Sequence, residues 1–265
     1  MVKSIALMEW RNILAYRMVF WTNFLGAVFA QFLIGYFLWK SIFDYSKIQD
    51  FKGYDFKNMV FYYLVAPMTF KAVAGIQMRI MSIDIYEGGL NKYLLYPVSF
   101  FKFKLINQFV HTSFYISQLV VGVFIYHILV GVPENIEFDL LNISFALVTI
   151  YLGSYLFFML ECAIEQLAFW VDNVWSLSVL LRYIVFLFGG GLVPTVLFPE
   201  WAEVFVKFTP FSSLLNLPLN IILNKYSFDN VVHELSSLII WSLLLTLLNK
   251  IIWKKGTKVY SGVGI

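Results

Sequence analysis

The chain has 265 residues, of which 60% are hydrophobic, 20% aromatic and 13% charged, a balance outside that of soluble domains and typical of an integral membrane protein. Its net charge of +3 is spread along the sequence without a block of like charge, which excludes a nucleic-acid surface. The single cysteine, Cys162, excludes an internal disulfide and an all-cysteine metal site.

A chain of this length holds about five to seven helical spans with short connections. No room is left for a soluble nucleotide-binding domain, so any energy source is expected on another chain. Residues 1–17, with Trp10 and Arg11, predict an N-terminal helix along the membrane interface, although its apolar stripe is poorly segregated. The first apolar stretch is too long for a cleavable secretory signal, and no small-x-small site follows it near Ser41.

About 20 apolar residues cross the hydrocarbon core as a helix. Residues 19–39 form the first predicted span and carry no charge; residues 59–78 form the second, interrupted only by Lys71. Next comes a segment, 80–101, in which Asp84, Glu87, the pair Gly88 and Gly89, Lys92 and Pro97 interrupt the apolar pattern. Residues 105–132 and 140–160 are the third and fourth spans, and residues 175–198 the fifth, with Arg182 near its start. Residues 208–224 are uncharged but contain Pro210, Pro218 and three asparagines, so a straight crossing is not expected there. Two short helices, 199–207 and 210–223, fit better as a re-entrant hairpin over 199–224. The sixth span is 231–253, with His233 and Glu234 at its beginning. The predicted fold class is therefore all-α, one transmembrane domain over 1–265 with six spans and both termini on one side.

Basic residues tend to stay inside. With the N-terminus inside, the inner segments hold Lys3, Arg11, Arg17, Arg79, Lys92, Lys102, Lys104, Arg182, Lys250, Lys254, Lys255 and Lys258. The outer segments hold Lys40, Lys47, Lys52, Lys57, Lys207 and Lys225, and the loop 131–139 is purely acidic. This asymmetry favours N-in, C-in, although the first outer loop has four lysines.

Several motifs carry a resemblance. Ala168-Phe-Trp170, Gly189-Gly-Gly-Leu-Val-Pro194, Leu197-Phe-Pro-Glu-Trp201, Thr209-Pro-Phe211 and Leu217-Pro218 occur in the order and spacing of the C-terminal half of the type-2 permeases of ATP-binding-cassette exporters. Residues 84–97 are similar to the cytoplasmic stretch of the same permeases, and Tyr260-Ser-Gly-Val-Gly264 to their small-residue tail. Together these cover most of the chain from Asp84 onward.

The resemblance implies a permease subunit that forms a dimeric pathway with a second copy or a paralogue in the cell membrane. Separate cytosolic ATPase subunits would drive it; ATP and Mg would be bound there, with no cofactor in this chain and no catalysis by it. The chain agrees in one respect, since no G-x-x-x-x-G-K-[ST] phosphate loop occurs. Gly189, Gly190 and Gly191 are not followed by a lysine, and their plainer role is close helix approach or a bend before Pro194. Pro199, Pro210 and Pro218 complete the re-entrant element.

The segment 80–101 is the candidate ATPase-coupling element, the alternative being an ordinary solvated loop. On the coupling reading Asp84 and Glu87 face basic groups on the ATPase, Tyr86 and Leu90 are anchors, and Gly88 and Gly89 allow a sharp turn. Lys71 is a pathway candidate, for an anionic group on the cargo, unless it pairs with a neighbour or snorkels. Phe157 and Phe188 are aromatic pathway candidates, although such stripes more often pack helices. Glu161 and Glu165, four apart, either contact the ATPase or bond Arg182. His111 and His127 have no acidic partner in register, and no metal site is expected there. Cargo is expected to be amphipathic or hydrophobic: a drug, peptide, lipid or glycolipid. The main alternative is a secondary transporter or channel subunit driven by an ion gradient, but no internal repeat of broken helices is visible. A membrane enzyme has no motif in its favour.

Overall fold

The computed structural model describes residues 1–75 and 81–261, without the side chains at positions 19, 20, 23, 24, 27 and 94. Arg79, Met78 and residues 262–264, used above, lie outside that description. All named elements among the described residues are helical. Helix α1 (Val2–Ala15) breaks from α2 (Arg17–Ser46) at Tyr16, and α2 stops where Lys47 adopts a left-handed φ of 54°. Asp55 then caps α3 (Phe56–Ala74), its carboxylate accepting the Asn58 N–H at 2.7 Å and satisfying a free donor of the first turn.

Helix α3 ends at Gly75, whose φ of +60° suits glycine. Its final carbonyls are not left bare, because the Gln108 amide donates to Val73 O and Ala74 O, each at 3.3 Å. After residues 76–80 come two short helices, α4 (Ser82–Tyr86) and α5 (Leu90–Leu94), hinged at Gly88 with φ +71°. Next are α6 (Phe100–Leu129) and α7 (Leu140–Glu165), the latter prolonged by a 3-10 turn to Phe169, and then α8 (Trp175–Phe188). The chain continues through α9 (Glu200–Lys207), a π-helical turn Ser212–Asn216, α10 (Leu217–Ile222) and α11 (Phe228–Gly256).

Phe100–Leu129, Leu140–Phe169 and Phe228–Gly256 are each long and apolar enough to cross a membrane. A 30-residue helix is about 45 Å long, so α6 exceeds a hydrocarbon core of about 30 Å by roughly 15 Å. Within the expected fifth span, 175–198, α8 covers only 14 residues, about 21 Å, with Arg182 halfway along it. The helix stops because Gly190 turns at φ +92° and Gly191 lies against the Phe186 ring, where a Cβ would come within 2.2 Å. The two short helices expected at 199–207 and 210–223 are present as α9 and the π-turn with α10.

Helix α3 lies at the centre, packed on α2, α6 and α7. One apolar core joins α3, α7, α8 and α11 around Leu156, Phe157, Val185 and Leu238; a second joins α2, α3 and the π-turn with α10 around Phe61, Tyr62, Leu215 and Leu219. Helix α1 packs on α6 through Ile13, Val110 and Phe114, with Trp10 edge-on to Phe114 at 5.5 Å. There Glu9 contacts the His111 Nε2 at 2.9 Å. His111, without an acidic partner in register on its own helix, thus finds one on a helix 102 positions away.

Two ends of the bundle are tied differently. At one, the start of α6, the end of α7 and the end of α11 meet in aromatic contacts: Trp253 lies 5.4 Å from Phe100, 4.8 Å from Phe101 and 5.6 Å from Phe169. At the other, loops are joined by polar bonds from side chain to backbone, among them Lys52 Nζ to Val196 O at 2.9 Å and Asn224 Nδ2 to Glu137 O at 2.8 Å.

Candidate coupling site and its polar connections

The short helices α4 and α5 sit at the aromatic end, and charge holds them there. Asp84 lies at the centre: Oδ1 accepts from Lys92 Nζ at 2.7 Å, Oδ2 from Lys104 Nζ at 2.7 Å and from the Tyr93 hydroxyl at 3.2 Å. Burial by itself would raise the Asp84 pKa. The hydrogen bonds and charges of Lys104 and Lys92 outweigh that and hold it below its ordinary value. The Tyr93 phenol moves the other way, pushed up by burial and then by the Asp84 charge beside it.

Asp84 is 6% exposed. The expectation that it faces a partner is therefore corrected: its charge is spent within the chain, tying α4 and α5 to α6. Tyr86 and Leu90 also turn inward. The Tyr86 hydroxyl donates to Val171 O at 3.2 Å and accepts the Val174 N–H at 3.1 Å, while Leu90 is buried. Gly88 supplies the left-handed turn, and Gly89 gives Asp84 room, since a Cβ there would lie 2.9 Å from its Oδ1.

Exposed on the segment are Ile83 of α4 and Glu87 at its end, Asn91 and Lys92 of α5, and Leu95, Tyr96, Pro97 and Ser99 after it. Leu95 is 85% exposed. Trp170 and Val171 are also exposed, and the Tyr86 bond to Val171 places that turn beside α4.

Two acidic side chains of α7 carry the connection into the bundle. Glu165 Oε2 accepts the backbone N–H groups of Met81 at 2.6 Å and Ser82 at 3.1 Å, fixing the start of α4. One turn earlier, Glu161 takes a two-point grip from Arg182 on α8, Nε to Oε1 and Nη2 to Oε2, both at 2.7 Å. The expected Glu161–Arg182 pairing is thus observed. Arg182 also lies 5.3 Å over the Phe157 ring.

Phe157 is wholly buried and meets Phe70 at 6.1 Å, so as a pathway-lining residue it is corrected to a core residue. Lys71 is half-buried and close enough to feel the Arg182 charge. The ion pairs among the described residues do not include it.

At the opposite end, the Gly189–Gly191 turn is held by its carbonyls. Tyr62 donates to Gly190 O, Tyr63 to Leu192 O, and Gln31 Nε2 to Gly191 O at 3.3 Å. Phe188 packs 5.3 Å from Phe205 and 6.4 Å from Phe211, so it joins α8 to the hairpin. Pro194, Pro210 and Pro218 are buried, whereas Pro199 is the exposed residue before α9. Sequence reasoning missed Lys104, Gln108, Gln31, Tyr62 and Tyr63 as connecting residues. Their signal is a polar side chain inside an apolar helix, which one sequence offers at many positions.

An all-helical chain with apolar helices of membrane-crossing length, tied at one end to a charge-paired pair of short helices, falls in the class of membrane-embedded multi-pass proteins. Within it, the chain belongs to the ABC-2 family transporter proteins, whose sequence profile matches residues 29–264. It is accordingly a permease-family component of an ABC transporter, a family that is normally non-catalytic and leaves ATP hydrolysis to partner subunits. No curated protein matches the chain.

Proposed function

We propose that this chain is the membrane permease of an exporter, that two such subunits enclose the pathway, and that a cytosolic ATPase docks on the α4–α5 segment. One observation carries the reading: the polar connection from α4 and α5 into α6, α7 and α8 through Asp84–Lys104, Glu165 with the N–H groups of Met81 and Ser82, and Glu161–Arg182. A push on the exposed face of α4 and α5 then moves helix ends as one piece instead of deforming a loop. The docking face is Ile83, Glu87, Leu95, Tyr96 and Pro97, with Trp170 and Val171 at its edge. Asp84 is a positioning residue behind it.

Six spans with both termini inside fit the two tied ends, the short α8 crossing with help from the turn that follows it. Helix α1 then lies at the inner interface against the projecting start of α6. Helix α9 leaves Trp201, Val204 and Phe205 exposed, as is Phe208 just after it, which suits shallow immersion in the outer leaflet. Lys71 faces the pathway, a cation suited to an anionic group on an otherwise apolar cargo.

The test is co-purification with the ATPase. Glu87→Lys combined with Leu95→Asp is expected to lose the ATPase while the permease stays folded and membrane-inserted. Retention of the ATPase by that double variant rules out this docking face, and transport in proteoliposomes driven by an ion gradient without ATPase rules out the permease reading.

A further inference from the structure

Where α6, α7 and α10 meet near the loop end, an apolar groove of about 340 Å³ runs along the outside of the bundle, at the small end of the roughly 300–1,000 Å³ of ligand sites. Its floor is buried, formed by Leu119 on α6, Ala146 and Ile150 on α7 and Ile221 on α10. Its walls are exposed, Val120 and Phe124 on one side and Leu147 on the other. Both wall helices are of membrane-crossing length, so the groove opens sideways into hydrocarbon.

The polar residues of the lining collect at one end. His127 lies near the end of α6, Glu137 in the loop that follows, Asn142 in the first turn of α7 and Asn224 shortly after α10. Asn142 Nδ2 donates to Asn224 Oδ1 at 3.0 Å and Asn224 Nδ2 to Glu137 O at 2.8 Å, which ties the loops of that end together. From His127 down α6 to Ile116 the lining spans about 16 Å, close to the depth of one leaflet, half of a core of about 30 Å. A space open to lipid tails fills with one, because an empty groove forfeits the dispersion contacts of its lining. A helix of a second copy fits less well, since such contacts favour small residues and these walls are branched or aromatic. The loop at the polar end, residues 131–139, has acidic residues and no basic one. Glu134 shares a separate hollow with Lys57 and Lys225, whereas Glu137 lines the groove. The Lys225 ammonium, next to Asn224 in sequence, is turned elsewhere, donating to Gly53 O and lying 4.4 Å over the Tyr54 ring.

We propose that this groove holds one acyl chain of an aminophospholipid from the surrounding bilayer, with the lipid's ammonium group at Glu137 and its phosphate at a His127 ring N–H. Either tautomer of His127 carries such a donor. Tails already lie in hydrocarbon and gain nothing hydrophobic by moving, so the chain is held by packing and the headgroup supplies the selectivity. The site rests on neither the ATPase-docking reading nor the identity of the cargo.

The full-length chain, delipidated in detergent, is titrated with phosphatidylethanolamine and in parallel with phosphatidylglycerol of the same acyl chains, and bound lipid is counted by native mass spectrometry. The expected result is one phosphatidylethanolamine retained per chain, roughly two- to fivefold more tightly than phosphatidylglycerol, the discrimination of a solvent-exposed ion pair. Leu147→Trp fills the groove from its exposed wall and lowers retention severalfold, whereas Ile251→Trp, at an exposed position of α11, leaves it unchanged. Glu137→Lys reverses the headgroup preference. Equal retention of the two lipids by the wild type, or undiminished retention in Leu147→Trp, overturns the proposal. So does a change in the number of chains per particle in Leu147→Trp, which makes the groove an interface between copies. Should Leu147→Trp fail to fold, Val120→Trp fills the groove from the other wall: severalfold weaker retention supports the site, and unchanged retention overturns it.

Discussion

Arg182 and Glu161 meet through two parallel hydrogen bonds of 2.7 Å, a two-point contact between the middle of α8 and the end of α7. Both groups are largely withdrawn from solvent, with side-chain exposures of 18% and 7%. Removing one partner from such a pair costs about 3–5 kcal/mol, because the other charge stays behind. Glu161→Ala should be the worse variant, since it leaves Arg182 with Lys71 as its charged neighbour. Arg182→Lys loses the planar fork and falls in between. The double variant Glu161→Ala/Arg182→Ala should be less destabilised than the two singles added together, a coupling that thermal unfolding in detergent reads directly.

Asp84 sets a pH limit on the α4–α5 segment. Its folded pKa lies below the ordinary 3.8, so the stabilisation it provides is complete above that value and is lost as pH falls through the folded pKa. Hydrogen exchange over residues 81–101 should be flat from neutral pH down to about 5, once corrected for intrinsic rates, and rise only on further acidification. In Asp84→Asn the protection should already be low at neutral pH.

Lys92 and Lys104 both touch Asp84 but differ in depth, 53% against 9% side-chain exposure. Lys92→Ala should cost no more than about 1 kcal/mol, since solvent screens that pair. Lys104→Ala should cost several times as much, because a buried carboxylate loses its buried counter-charge. Comparing the two midpoints checks which bond ties α4 to α6.

Gly75 and Gly26 should respond in opposite ways to alanine. At Gly75 a Cβ would lie 2.4 Å from Gln108 Nε2, on backbone of positive φ, and would displace the amide that closes α3. Gly26 has nothing within 4 Å of its Cβ position and sits inside α2, where alanine gains up to about 1 kcal/mol of helix propensity. A lower midpoint for Gly75→Ala and an unchanged or higher one for Gly26→Ala is the expected result.

Helix placement was legible wherever the apolar run was long, as in α6, α7 and α11, because composition over 20 residues leaves few options. The break before Pro210 was legible too, since proline restricts backbone locally, whereas Pro218 sits inside the helical run at the start of α10. A bend at Gly189–Gly191 was legible from the glycines, but not that α8 ends there. Residues 189–198 are as apolar as the helix before them, and the turn depends on carbonyls held by Tyr62 and Tyr63 from 128 and 129 positions away.

The sequence by itself determined a membrane protein of helices, the family its motifs resemble, and an anomalous charged segment near Asp84. Only the tertiary structure decided which way that charge points. Asp84 reads as a surface acid in the linear chain, yet Lys104, twenty positions on, reaches back from α6 and makes it an internal tie. Pairing energies depend on distance and burial, and neither is written in sequence spacing once the partner lies on another helix.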